Sequence, residues 1–144
     1  MEPSPKNKIL VIDDEPGYVP LLRMLMPELE IRVACNATQA LETARQLRPD
    51  CFIVDLVIPG MPGADLARLL RAMPEFASTP IFLFSALIHS LIEDAEPLVV
   101  DGFIAFPKPC NVYVLKRQIA LHLASRPAAV SSGQNLLPGF IAGA

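Results

Sequence analysis

Three short runs, Lys8 to Ile12, Cys51 to Asp55 and Ile81 to Ser85, are nearly continuous in apolar residues. A strand with one wet face alternates apolar and polar side chains, whereas a strand apolar at almost every position must be buried on both faces. Such strands belong inside a parallel sheet with helices on either side. Two further runs, Ile31 to Cys35 and, less sharply, Gly102 to Phe106, complete five expected strands. Segments of helical period separate them, so the chain is expected to be α/β.

The clearest helix is Asn36 to Leu47. Asn36 and Gln39 have capping-box spacing, Ala37, Ala40, Leu41, Ala44 and Leu47 share a face, and Arg48-Pro49 stops the turn. Gly63 to Met73 repeats the logic with Leu66, Leu69, Leu70 and Met73 ahead of Pro74, and a last helix from Asn111 carries Val112, Leu115, Ile119 and Leu123 and ends before Pro127. In Pro16 to Leu29, Pro20 sits in the first turns; Leu22, Leu25 and Leu29 are expected as the core stripe, with Val19 and Met26 on the opposite, exposed face as a docking patch. Pro97 is expected to shorten or break a helix between His89 and Val100. His89 and His122 read as ordinary helix residues.

The 144 residues suffice for one domain with a substantial core, expected over 1–126. Residues 127–144 contain no charged side chain and read as a flexible tail, with a docking or protease-recognition peptide as the alternative. Hydrophobic residues make up 52% and charged residues 19%, which argues against global disorder. With 12 basic against 15 acidic side chains, the net charge of −3 offers no basic footprint, so direct nucleic-acid binding is not expected. Cys35, Cys51 and Cys110 stand in no metal-ligand spacing and are odd in number, which suits a reduced, cytoplasmic setting. The apolar stretch from Ile81 to Ile92 is interrupted and too short to span a membrane, and no signal-peptide core follows the N-terminus.

Polar residues cluster at the strand ends. Asp13 and Asp14 close the first strand, Asp55 the third and Ser85 the fourth, and Lys108 follows the fifth. Ligands of an open parallel sheet bind beyond the carboxyl ends of its strands, where strand order reverses, so these five residues converge on one crevice. Three carboxylates about 5 Å apart repel by about 3 kcal/mol per pair at an effective dielectric near 20, which demands a positive charge among them. Oxygen ligands without His or Cys favour a hard divalent ion, Mg²⁺ above all. A Mg²⁺, a Lys and a Ser around a free carboxylate are what phosphoryl transfer to that carboxylate requires.

From Ile9 to about Ala124 the chain resembles the receiver domain of two-component response regulators. The resemblance is carried by Ile9-Leu-Val-Ile-Asp-Asp-Glu-Pro16, Phe52-Ile-Val-Asp-Leu-Val-Ile-Pro-Gly-Met-Pro-Gly63, Thr79-Pro-Ile-Phe-Leu-Phe-Ser-Ala86 and Lys108-Pro109. It implies a doubly wound, flavodoxin-like five-stranded parallel sheet of order 2-1-3-4-5 flanked by five helices. It also implies Asp55 as phosphoacceptor from a histidine kinase or histidine phosphotransfer protein. Asp14, Asp55 and the Val57 carbonyl would hold Mg²⁺, and Asp13 a metal-bound water. Ser85 and Lys108 would bind the phosphoryl group, the latter through a cis Lys108-Pro109 peptide.

A switch aromatic is implied three residues before the Lys. Ala105 occupies that place, and Phe103 and Phe106 on either side are the candidates for the role. Val57 and Leu87, apolar neighbours of the acceptor, cannot orient an attacking water, so a long-lived phosphoryl group is expected. With no DNA-binding or catalytic segment after Ala124, the chain resembles stand-alone receivers that act on a downstream protein target or shuttle phosphoryl groups, with a phosphorylation-dependent homodimer left open.

Three rivals rank lower. A pseudo-receiver acting as a constitutive binding module would lack one of the acidic or Lys positions. A phosphohydrolase of the haloacid dehalogenase type expects Asp-x-Asp rather than adjacent Asp13 and Asp14. A dinucleotide-binding fold expects G-x-G-x-x-G after the first strand.

Overall fold

The computed structural model describes residues 6–85, 98–108 and 111–124. The expectations for Leu87, His89, Pro97, the Lys108-Pro109 peptide, Cys110 and the 127–144 tail lie outside the described residues. β1 (Asn7–Ile12), β2 (Leu29–Ala34), β3 (Cys51–Asp55), β6 (Ile81–Ser85) and β8 (Phe103–Pro107) form the central sheet. With β7 (Leu98–Val100) at one edge, its order is β2-β1-β3-β6-β8-β7, and the first five strands pair in parallel. The expected order 2-1-3-4-5 is therefore present. Every residue of β3 and β6 is buried, the apolar runs as two-sided burial requires and the polar Asp55 and Ser85 at their carboxyl ends with them.

Four α-helices lie among the described residues, α1 (Val19–Leu25), α2 (Ala37–Leu47), α3 (Gly63–Ala72) and α4 (Val112–Ala124). The Asn36 side chain accepts from the Gln39 amide at 2.8 Å, and Gln39 Oε1 accepts from the Cys35 amide at 2.7 Å, closing the α2 cap. α3 stops ahead of Pro74, which opens a 3₁₀ turn over Pro74–Phe76. The two faces of the sheet carry separate cores. Leu10, Phe52, Leu66, Leu70 and Phe76 pack on the α2–α3 side, and Ile9, Ile53, Phe82, Leu115 and Ile119 on the α1–α4 side. His122 in α4 stacks edge-on against Phe82 at 5.1 Å.

Two expectations need correction. α1 ends at Leu25, not Leu29, because Pro27 forces the preceding Met26 out of helical backbone, at φ −131°, and Leu29 opens β2. Val19 and Met26 are buried and do not form an exposed patch. At 100° per residue they stand only about 60° and 40° around the helix from buried Leu22. The exposed apolar residues of α1 are Leu21 and Met24 instead.

The second correction concerns residues 98–100, expected at the end of a helix. They form β7 (Leu98–Val100), antiparallel to β8. Asp101 and Gly102, both at positive φ (52° and 84°), make the two-residue connection that twisted hairpins favour. The sheet is thus six-stranded and mixed at its edge. A second small hairpin, β4 (Val57–Ile58) with β5 (Met61–Pro62), turns through Pro59 and Gly60 at φ 105°.

Candidate functional site

The chain leaves β1 for β2 on one side and reaches β3 on the other, so β1 and β3 flank the point of reversal. Asp13 and Asp14 follow β1, Asp55 ends β3, Ser85 ends β6 and Lys108 follows β8. One carboxylate oxygen from each of Asp13, Asp14 and Asp55 lies within 4.8 Å of the others. Asp13 is fully buried and Asp55 nearly so, while Asp14 is exposed at the rim.

Lys108 joins this group. Its Nζ stands 2.9 Å from Asp55 Oδ2 and 2.8 Å from Asp13 Oδ2. Its backbone N–H donates to the Ser85 carbonyl at 3.0 Å, which fixes where the side chain starts. The second oxygens are held by the backbone: Glu15 N–H donates to Asp13 Oδ1 at 2.8 Å, and Val57 N–H to Asp55 Oδ1 at 3.0 Å. Leu56 N–H is tied to the Phe84 carbonyl and the Asp13 N–H to the Ala34 carbonyl. Adjacent strands therefore set the height of both carboxylates.

Burial raises the Asp13 carboxyl above its ordinary pKa; its ion pair with Lys108 and the hydrogen bond from the Glu15 amide oppose this, and the Asp55 charge adds to it. Burial alone would depress the Lys108 ammonium, but its bonds to Asp13 and Asp55 outweigh that and leave it raised. The acidic set has spare capacity. Asp13 Oδ2, though at ion-pair distance from Lys108, is buried and accepts no well-directed hydrogen bond. Three hard oxygen donors with such an atom among them fit a small divalent cation such as Mg²⁺.

Four of the five residues singled out at the strand ends, Asp13, Asp14, Asp55 and Lys108, thus bring their side chains together, and Ser85 adjoins them through its backbone carbonyl. The two aromatic candidates do not share a face. Phe103 and Ala105 belong to the α2–α3 core, while Phe106 belongs to the α1–α4 core, edge-on to Phe82 and Phe84 at 5.6 Å. Phe103 lies under the Arg71 guanidinium, 5.6 Å from the ring centre, and Arg71 is itself bonded to the Thr79 carbonyl at 2.7 Å. Neither ring occupies the place of Ala105, which is fully buried. Val57, whose N–H bonds the Asp55 carboxylate, is 60% exposed.

One feature of the site went unnoticed in the sequence. Gly63, the first residue of α3, packs its Cα against the Asp55 and Leu56 backbone, where an added Cβ would stand 1.9 Å from the Asp55 carbonyl oxygen. The Gly in Met61-Pro62-Gly63 was legible as a motif member, but not as a contact.

Residues 9–120 match the model of the response regulator receiver domain. The chain is 36% identical over 113 residues to the DNA-binding response regulator MtrA of Mycolicibacterium smegmatis, an alignment covering 77% of this chain and 44% of that protein. It is 30% identical over 135 residues to the transcriptional regulatory protein TcrX of Mycobacterium tuberculosis, covering 91% of this chain and 56% of TcrX. The chain thus spans about half the length of these relatives. Among solved structures, the chemotaxis response regulator CheY4 of Vibrio cholerae superposes with a TM-score of 0.66 at 22% identity, covering 82% of this chain and 99% of that one. The receiver domain of a DNA-binding response regulator from Colwellia psychrerythraea superposes with a TM-score of 0.67 at 21% identity, covering 83% and 100%. With the strand order, the acidic crevice and the family match in agreement, this chain belongs to the response regulator receiver domain family.

Proposed function

We propose that Asp55 is the phosphoacceptor of this receiver and that it takes a phosphoryl group from a phosphohistidine of a histidine kinase or phosphotransfer protein. The observation that carries the reading is the Lys108 ammonium set between Asp13 and Asp55 at the mouth of a buried carboxylate cluster. One Asp55 carboxylate oxygen attacks phosphorus, the new P–O bond forms as the P–N bond breaks, and the released imidazole takes a proton from solvent. Lys108 follows the added negative charge, and Ser85 lies at the adjoining strand end to bond a phosphoryl oxygen.

Asp13, Asp14, Asp55 and the Val57 carbonyl are the proposed holders of Mg²⁺. When bound, the ion supplies the charge neutralisation that lets a phosphate dianion approach three carboxylates. Exposed Leu21 and Met24 on α1 replace Val19 and Met26 as candidate contacts for the donor. Output is proposed to pass to a protein partner, from a cytoplasmic domain over 1–126 with 127–144 as its tail. The acidic balance of the chain favours this over direct DNA contact.

The test is intact mass after incubation with Mg²⁺ and acetyl phosphate, for wild type and Asp55→Asn, with an EDTA control. The expected result is one added phosphoryl group that requires both Mg²⁺ and Asp55. A wild type that binds Mg²⁺ yet gains nothing from acetyl phosphate or a phosphohistidine donor would leave a constitutive binding module in its place.

A further inference from the structure

We infer that Gly63 is a positioning residue for the acceptor: by lacking a Cβ it lets the first turn of α3 close against the Asp55-Leu56 backbone and so fixes the height of the Asp55 carboxylate. The inference rests on Asp55 being the acceptor. A Cβ built on Gly63 meets the Asp55 carbonyl oxygen at 1.9 Å, Leu56 Cα at 2.7 Å and the Asp55 carbonyl carbon at 2.8 Å. All three are backbone atoms, so no side chain can swing aside to make room. The Gly63 N–H also donates to the Leu56 carbonyl at 2.8 Å, which ties α3 to the residue after the acceptor.

The acceptor backbone has no slack on its other side. Leu56 N–H donates to the Phe84 carbonyl at 2.8 Å, and Asp55 pairs with Phe84 in the parallel ladder to β6. Asp55 is therefore held between a strand and a helix start. Its Oδ1 accepts from Val57 N–H, inside the same clamped segment. Any displacement at position 63 is passed to the carboxylate and to the 2.9 Å contact with Lys108. Real Cβ atoms essentially never approach closer than 3.0 Å, so an alanine requires a shift of about 1 Å. A misplacement of that size can cost about a hundredfold in a positioned reaction.

Gly63→Ala and a control, Leu70→Ala, are compared with wild type in full-length protein. Leu70 is fully buried on α3 and takes no part in the Asp55 contact, so its truncation destabilises without touching the acceptor. The expected result is a ten- to hundredfold slower phosphorylation at saturating acetyl phosphate and a weaker Mg²⁺-induced rise in Tm for Gly63→Ala, with both properties near wild type for Leu70→Ala. Gly63→Ala matching Leu70→Ala in both readouts, at a similar loss of Tm, would overturn the inference.

A second measurement uses wild type alone and holds if Gly63→Ala fails to fold. On titration with Mg²⁺, the Gly63 amide resonance should shift together with those of Leu56 and Val57; a Gly63 amide that stays still while theirs move would equally sink the proposal. Wild type that binds Mg²⁺ with these shifts but is never phosphorylated would refute the acceptor reading and leave the clamp standing.

Discussion

Lys108 Nζ lies 2.9 Å from Asp55 Oδ2, joining residues 53 positions apart in the chain. The same ammonium meets Asp13, so one cation offsets two buried carboxylates. A divalent ion at the three carboxylates would compete with Lys108 for the same negative charge. Removing a unit positive charge about 4 Å from a cation strengthens that cation's binding by about 1 kcal/mol or more, even with water-like screening. Lys108→Met is therefore expected to bind Mg²⁺ about fivefold tighter by calorimetry while accepting phosphoryl groups more slowly. Weaker Mg²⁺ binding would contradict the competition.

The Asp13 carboxyl is raised above its ordinary 3.8, mainly by burial. The folded state thus favours the protonated form, and the stability this confers is complete below about pH 3.8 and is lost as pH rises through the raised value. At neutral pH the ionised Asp13 is a net cost. Asp13→Asn in EDTA should melt higher than wild type near pH 7, and the gap should close as pH falls towards 4. Thermal unfolding across that range checks both the sign and the window.

Val57 is 60% exposed next to Asp55, the proposed acceptor, and carries nothing that can orient water. Val57→Asn should leave Tm within about a degree, as surface changes do, and speed loss of the phosphoryl group several-fold. The decay of phosphorylated protein, followed by intact mass after removal of the donor, reads this directly. An unchanged or slower decay would show that the apolar neighbour does not set the lifetime.

Met26 is 2% exposed and Met24 76% exposed. Met26→Ala is expected to cost about 2–4 kcal/mol through the cavity it leaves, and Met24→Ala less than about 0.5 kcal/mol. Urea unfolding of the two variants distinguishes the buried from the exposed methionine, and equal costs would place the wrong face of α1 inwards.

The parallel sheet was legible because burial on both faces leaves the inner stretches of β1, β3 and β6, Ile9 to Ile12, Cys51 to Val54 and Ile81 to Phe84, without polar positions. The site was legible for the same reason: Asp13, Asp55 and Ser85 interrupt those runs just where the strands end. α1 was misread because Pro27 was passed over, although a residue before proline is pushed from helical backbone. The β7–β8 hairpin was missed although Asp101-Gly102, between Leu98-Val-Val100 and Phe103-Ile-Ala105, is a strong local turn signal. The expectation of a short or broken helix up to Val100 left no room for that turn. The contact between Gly63 and Asp55 had no local signature, since closeness of two backbones is a property of the assembled layers.

The crevice is built from the ends of four strands, β1, β3, β6 and β8, and no local segment contains more than two of its five polar residues. It therefore has no existence in a partly formed sheet. A divalent ion held by the three carboxylates would be linked to the cooperative folding of the whole domain rather than to any subunit of it, and would stabilise by RT ln(1 + [L]/Kd). β8, paired with β6 on one side and with three-residue β7 on the other, is the member whose fraying would carry Lys108 away and leave the three carboxylates facing one another. Hydrogen exchange at the Lys108 amide is thus a clock for the opening of the site.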